Sequence, residues 1–253
     1  MIWFVGAGSG AVDLITVRGQ RLLGEADCII YAGSLVNPQL LTLAKPGART
    51  LDSARMTLEE VLDAMLATER EGGMTVRLHT GDPALYGAIR EQMDALTERG
   101  VPFASVPGVS SFSAAAAALN AEYTLPGVSQ SLIITRMAGR TPVPEGEELS
   151  RMAAHGCSMV LFLSAGMLRE VQDRLLAGAY TEATPAAIVY KASWPEERTC
   201  RCTVGTLAET GERNDIEKTA LVLVGDFLDS PYERSRLYDP YFTTGYRKGS
   251  DAD

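Results

Sequence analysis

Met74-Thr-Val-Arg-Leu78, running into His79-Thr80-Gly81-Asp82-Pro83-Ala84-Leu85-Tyr86-Gly87, is the stretch whose reading decides the fold. Its first part is a short apolar run that reads as a buried strand leaving a sheet. Gly81 and Pro83 then force a sharp turn, and a helical pattern opens near Ala88. A strand ending in a Gly/Asp/Pro turn ahead of a helix sets free backbone N–H groups and a carboxylate at the carboxyl edge of a sheet. Open α/β sheets bind their ligands there. One Asp without a P-loop Lys suits hydroxyls or an amine better than phosphate. Taken alone, the same residues read equally well as a plain strand-to-helix turn.

Outward from this turn, apolar runs at Ile2–Val5, Cys28–Tyr31, Thr75–Leu78, Phe103–Val106, Ser131–Thr135, Met159–Leu163, Ala186–Tyr190 and Ala220–Val224 read as buried strands. Helical patterns lie between several of them. The clearest runs from Met56 to Glu71, with Leu58, Val61, Leu62, Met65 and Leu66 on one face. Thr57 and Glu60 form a capping-box pattern at its start, and Gly72-Gly73 stop it. This alternation predicts an α/β fold with mostly parallel sheets flanked by helices. The small-residue helix Ser113–Ala118, followed by Pro126-Gly127 and a second α/β series, places a seam at residues 113–125. Two lobes are expected, 1–115 and 116–253, with a cleft between them. Ala138–Glu148, holding two prolines and two glycines, reads as a long surface loop. The segment Leu237–Arg247 is aromatic enough to pack on something, and Lys248–Asp253 reads as disordered.

With 253 residues, 46% of them hydrophobic and 22% charged, the chain has a soluble enzyme's composition and enough length for a substantial core. No apolar run approaches bilayer length, and Met1-Ile2-Trp3-Phe4-Val5-Gly6 lacks a basic leader, so a cytoplasmic protein is expected. A net charge of -9 argues against nucleic acid as partner, since phosphate neutralisation needs a basic surface. It leaves room for an anionic small molecule, because a local arginine cluster can invert the field in one cleft. Of four cysteines, Cys200 and Cys202 form a C-x-C that a strand would place on one face. With no second pair and no nearby His, they read as reduced structural thiols and no metal site is expected.

Three further turns carry chemistry. Gly6-Ala7-Gly8-Ser9-Gly10-Ala11 satisfies the G-x-G-x-x-G/A pattern of dinucleotide folds. However, its helix begins late, near Leu14, and the second strand ends in Tyr31-Ala32, where a ribose-binding acid belongs. Asp27 stands at the wrong end of that strand. Pro107-Gly108-Val109-Ser110-Ser111 ends another strand and opens a helix, which either serine can cap. Neither serine resembles an activated nucleophile, for there is no G-x-S-x-G elbow and only His79 and His155 to act as base. Arg136 and Arg140, in Arg136-Met-Ala-Gly-Arg-Thr-Pro142, can fork onto carboxylates, or equally sit on a solvated basic loop. Lys191 and Arg198, around Trp194-Pro195, add positive charge at another strand end. His79 reads more readily as a core histidine than as a base.

Val5-Gly-Ala-Gly-Ser-Gly10, Ala26-Asp-Cys-Ile-Ile-Tyr31, Gly81–Gly87, Pro107–Ser111 and Thr219-Ala-Leu-Val-Leu-Val-Gly-Asp226 occur in an order that resembles the tetrapyrrole (corrin/porphyrin) methylase family. The resemblance covers nearly the whole chain. Tyr31-Ala-Gly-Ser-Leu-Val36, Arg136–Pro144 and the Leu237-Tyr-Asp-Pro240 ending are similar to the branch that methylates C11 of precorrin-4, or its cobalt form, in cobalamin biosynthesis. The resemblance implies a homodimer of two-lobed subunits that uses S-adenosylmethionine as methyl donor. It implies cofactor contacts at Thr80, Gly81, Asp82 and Leu85, and at Ser110 and Ser111. From the second lobe it adds Leu163, Ala192, Ala220 and Leu221. Asp82 would meet polar hydrogens of the methionine or ribose part.

Two positions depart from the family. Ser9, at the cofactor or substrate border of the glycine-rich loop, replaces a common Pro. Ala32 replaces the Asp proposed as proton acceptor in uroporphyrinogen-acting members, so uroporphyrinogen III is not expected as substrate. For a tetrapyrrole with several carboxylate arms, Arg136, Met137 and Arg140 are the expected substrate contacts, with Arg55 beside them. Tyr31, His79 and Tyr86 are the candidates to take the proton released on methylation, and the sequence does not choose among them. A nicotinamide-dependent oxidoreductase using Gly6–Ala11, a non-catalytic tetrapyrrole carrier and a methylase acting at a neighbouring ring carbon are the competing readings.

Overall fold

The computed structural model describes residues 1–33 and 35–250. The chain forms two compact units, one made of Met1–Ala115 with Lys191–Glu197, the other of Ala116–Tyr190 with Arg198–Asp253.

In the first unit, β1 (Ile2–Gly6), α1 (Val17–Glu25), β2 (Cys28–Tyr31), β3 (Arg49–Asp52), α2 (Leu58–Arg70), β4 (Thr75–His79), α3 (Arg90–Glu98) and β5 (Phe103–Val106) follow one another, and α4 (Ser111–Leu119) begins. The strands form one parallel sheet in the order β3-β2-β4-β1-β5. Alternation along each strand feeds two cores, as a parallel sheet covered on both faces requires. Val5, Ile29, Val76 and Leu78 pack with Leu22 and Leu23 of α1. Ile2, Phe4, Cys28 and Ile30 pack with Val61 and Met65 of α2 and Leu96 of α3. The capping box of α2 forms as its sequence predicts, Thr57 accepting from the Glu60 N–H and Glu60 from the Thr57 N–H. The edge strand β3 is polar and half-exposed, so it lacks the apolar run that marks the others. The helix expected near Ala88 begins at Arg90, because Ala88 itself has φ +49°.

The second unit holds β6 (Leu132–Arg136), α5 (Leu149–Ala153), β7 (Ser158–Phe162), α6 (Leu168–Leu176), β8 (Pro185–Tyr190), β9 (Arg198–Thr203), α7 (Leu207–Arg213) and β10 (Ala220–Val224). Its sheet order is β6-β7-β10-β8-β9. Over both sheets five strand pairings are parallel. In this second sheet, however, only β6–β7 is parallel, and β10 and β9 run against their neighbours. One reason is length. Lys191–Glu197 joins β8 to β9 and is too short for a parallel crossover, which needs a dozen or more residues. Met159, Leu161, Ile188 and Val222 pack there against Val171, Leu175 and Leu207 of α6 and α7. Cys200 and Cys202 lie on one face of β9 against this core and, like Cys28 and Cys157, are free thiols.

Two expectations for the C-terminus need correction. Gly249 donates to Thr243 Oγ1 at 3.0 Å and Ser250 to the Pro240 carbonyl at 2.9 Å, so Lys248–Ser250 fold back onto the chain. Asp251–Asp253 lie outside the described residues. The aromatic side chains of Tyr238, Tyr241, Phe242 and Tyr246 are exposed rather than packed within this chain. Among the described residues, no helix is long and apolar enough to cross a membrane.

Candidate active site

The register that aligns Gly6 with His79 and Val5 with Val106 brings the carboxyl ends of β1, β4 and β5 side by side. Ala7 donates to the His79 carbonyl at 2.7 Å, and Gly8 and Gly81 exchange hydrogen bonds at 3.3 and 2.8 Å. A Cβ on Gly6 would stand 2.5 Å from Gly108 Cα and 2.6 Å from the Gly81 carbonyl oxygen. Main chain therefore touches main chain at all three turns, and only glycine allows it. Gly81, with φ +59°, lies under Ser110 and Ser111 at the start of α4.

Asp82 holds this arrangement. Its Oδ2 accepts the Gly108 N–H at 2.9 Å and its Oδ1 the Ala84 N–H at 2.8 Å. The carboxylate is thus half-occupied by its own protein, and each oxygen keeps a second lone pair for a ligand. Thr80 turns its hydroxyl to the Leu35 carbonyl at 2.8 Å. Leu85 is half-buried. Tyr86, 45% exposed, has φ +56°, a left-handed conformation that costs roughly 1–2 kcal/mol. No Lys or Arg occurs in Gly6–Ala11, Thr80–Leu85 or Pro107–Ser111, so these turns carry only the Asp82 charge.

Ser9 does not stand open to a ligand. It is buried, with its hydroxyl 2.8 Å from that of Ser193 and its carbonyl accepting from Trp194 Nε1 at 3.0 Å. Ser193 also accepts from the Ala11 N–H at 3.1 Å, while Asn37 donates to the Gly10 carbonyl at 2.8 Å. Lys191–Glu197, strained at Lys191 (φ +47°) and Ser193 (φ +67°), therefore braces the glycine-rich turn. Beyond the Trp-Pro pair, no sequence signal points to this brace. Lys191 and Arg198 are not spare charges. Lys191 pairs with Glu196 at 3.5 Å and lies over the Trp194 ring. Arg198 stacks on Tyr190 and donates to the Asn214 carbonyl. Beside the brace lies a cavity of about 660 Å³ walled by Val12, Ile15, Asn37, Leu43 and Trp194.

The proton-acceptor candidates separate. His79 is 4% exposed, stacked on Phe4, and its Nε2 has no hydrogen-bond partner. Burial, with Arg77 nearby, pushes its pKa down to about 3. It is a neutral core residue and is withdrawn as a base. Tyr31 is half-buried against the first core, and Tyr86 is exposed.

In the second unit the expected clamp residue Arg136 is engaged elsewhere. Its guanidinium donates to the carbonyls of Met137 at 3.2 Å, Thr141 at 3.1 Å and Pro142 at 2.6 Å. It laces its own loop and has little left for a carboxylate. Arg140, exposed on that loop, and Arg55, exposed after β3, make no ion pair among the described residues. The Met137 N–H donates to Ser164 Oγ at 2.9 Å. Leu163, at the end of β7, has φ +53° and is 63% exposed, a costly state for a large apolar side chain. Ala220 and Leu221 are buried in β10, and Ala192 is buried in the segment that braces the glycine-rich turn.

Residues 1–208 match the family of tetrapyrrole (corrin/porphyrin) methylases. A cobalt-precorrin-4 C(11)-methyltransferase of Priestia megaterium is 49% identical over 252 residues, 98% of each chain. The X-ray structure of a cobalt precorrin-4 methyltransferase of cobalamin biosynthesis superposes with a TM-score of 0.88 at 49% identity, over 90% of this chain and 95% of that one. A uroporphyrin-III C-methyl transferase from Thermus thermophilus, solved with S-adenosyl homocysteine, gives 0.76 at 27% identity, over 90% and 93%.

Proposed function

Since this chain belongs to the tetrapyrrole (corrin/porphyrin) methylases, we propose that it is an S-adenosylmethionine-dependent methyltransferase acting at C11 of precorrin-4, or of its cobalt form, in cobalamin biosynthesis. The observation that carries this reading is the 49% identity, sustained over 98% of both chains, to an enzyme of that name.

The turns of the first unit fit the cofactor. Backbone packed too closely for any Cβ forms a cradle, and its only formal charge is the Asp82 carboxylate. That suits a ligand bearing a sulfonium and an ammonium. It opposes the pyrophosphate of a nicotinamide, as does α1, which opens only at Val17 behind its Thr16 cap. S-adenosylmethionine, when bound, supplies an electrophilic methyl group. Gly81, Asp82, Ser110, Ser111 and Ala192 would hold it, and the family resemblance adds Leu163, Ala220 and Leu221 as further contacts. The protein's own contribution is orientation and exclusion of water, a term worth up to about 7–11 kcal/mol in well-aligned reactions. Arg140, with Arg55 as second cation, receives the carboxylates of the tetrapyrrole, and Tyr31 and Tyr86 remain to take the proton.

We assign the same protein to the cytoplasm as a homodimer. Four unpaired thiols support the first, and the exposed aromatic tail supports the second. Light scattering on the purified protein tests the dimer. Incubation with precorrin-4 and 13C-methyl-labelled cofactor tests the activity. A new methyl signal at C11 is expected. A signal at another carbon, or thermal protection by NAD(P)H and none by S-adenosylhomocysteine, overturns the reading.

A further inference from the structure

Ser164 is 0% exposed, and its hydroxyl is used twice. It donates to the Phe162 carbonyl at 2.7 Å and accepts the Met137 N–H at 2.9 Å. β6 and β7 are parallel, with Arg136 opposite Phe162. The hydroxyl therefore stitches two neighbouring strand ends just where their ladder stops. On one side of the stitch stands Leu163, strained and exposed. On the other is the loop 137–142, whose carbonyls converge on Arg136 and whose Gly139 donates to the Thr141 carbonyl. A Cβ on Gly139 would stand 3.3 Å from Met167 Cε, and the Met167 N–H returns to the Ser164 carbonyl at 3.0 Å. Ser164 thus meets both sides, by its side chain and by its backbone.

Resting on the methyltransferase reading above, we propose that Ser164 is a positioning residue that couples the two ligand-facing elements of the second unit. It holds Leu163 outward for the methyl donor, and it fixes the loop that presents Arg140 to the tetrapyrrole carboxylates. Arg136 laces the same loop from its other end. Neither Ser164 nor Arg136 touches substrate. Without the hydroxyl the Met137 N–H loses its partner, and both Leu163 and the loop are free to relax.

The experiment compares wild type, Ser164→Ala, Arg140→Ala and the double variant, with S-adenosylhomocysteine affinity by calorimetry and kcat and KM for precorrin-4. Ser164→Ala is expected to raise both the S-adenosylhomocysteine Kd and the tetrapyrrole KM about tenfold, with kcat at saturation little changed. In the Arg140→Ala background its effect on KM disappears, while its effect on Kd persists. A KM effect undiminished in that background, or an unchanged Kd in Ser164→Ala, overturns the proposal. Should Ser164→Ala fail to fold, Arg136→Met reads the loop alone. It must raise KM and spare Kd, and a raised Kd there overturns the coupling. A wild type that binds S-adenosylhomocysteine but methylates nothing refutes the substrate assignment, and the Kd arm still judges Ser164. A wild type that binds no S-adenosylhomocysteine removes both.

Discussion

The Asp82 carboxylate and the Gly108 N–H, 26 residues apart in the chain, meet at 2.9 Å and lock the turn after β4 to the turn after β5. If Asp82 meets the cofactor as proposed, cofactor affinity and local rigidity share one side chain. Asp82→Ala is expected to weaken S-adenosylhomocysteine binding more than tenfold and to lower unfolding free energy by about 1–3 kcal/mol. Calorimetry and urea unfolding on the same sample measure both. Loss of affinity with unchanged stability would mean that the carboxylate serves the ligand alone.

The meeting of three main chains makes a second prediction. Gly6→Ala drives a methyl into the Gly108 backbone, and a destabilisation of about 1–3 kcal/mol is expected. Gly146→Ala, where a Cβ meets nothing within 4 Å, is the control and leaves the urea midpoint in place.

His79 gives the protein an acid-sensitive point outside its chemistry. Its folded pKa, about 3, lies below the unfolded value near 6.5. The unfolded chain therefore takes up a proton first as pH falls. Stability from the neutral imidazole is complete above about pH 6.5 and is lost progressively down to about pH 3, on the order of 5 kcal/mol in all. His79→Phe keeps an aromatic ring against Phe4 and removes the titration. Melting temperatures from pH 7 to pH 5 are expected to fall less steeply for the variant, and parallel slopes would refute the assignment.

Leu163 is held in a strained, exposed state, which fits its proposed contact with the methyl donor. Asn accepts left-handed backbone more readily than Leu and exposes no apolar surface. Leu163→Asn is expected to stabilise the free protein by about 0.5–1 kcal/mol while weakening S-adenosylhomocysteine binding. A variant that binds as tightly as wild type would make the strain incidental.

The buried strands were legible because each is a short apolar run, and the three turns that meet beyond β1, β4 and β5 because Gly, Pro and Asp punctuate strand ends. What escaped the sequence depends on partners distant along the chain. β3 and β9 are edge strands that bury little, so hydrophobic periodicity passes over them. Their neighbours' directions depend on loop length and are not written in the strands themselves. Arg136 reads as a free cation because sequence cannot show three carbonyls of its own loop closing around it. Ser9 reads as a ligand contact because Ser193 and Trp194, which cover it, lie more than 180 residues away. Tyr86, Leu163 and Ser193 are strained, and no residue type announces a positive φ.

Lys191–Glu197 leaves one unit to complete the other and then returns. A single cut near residue 115 would consequently give a front fragment whose Ser9 hydroxyl, Ser9 carbonyl and Ala11 amide have all lost their mates. Attempts to express the halves separately, or to shuffle them among relatives, should carry this short peptide along with the front piece, because a swap at the obvious seam exchanges the walls and leaves the buttress behind.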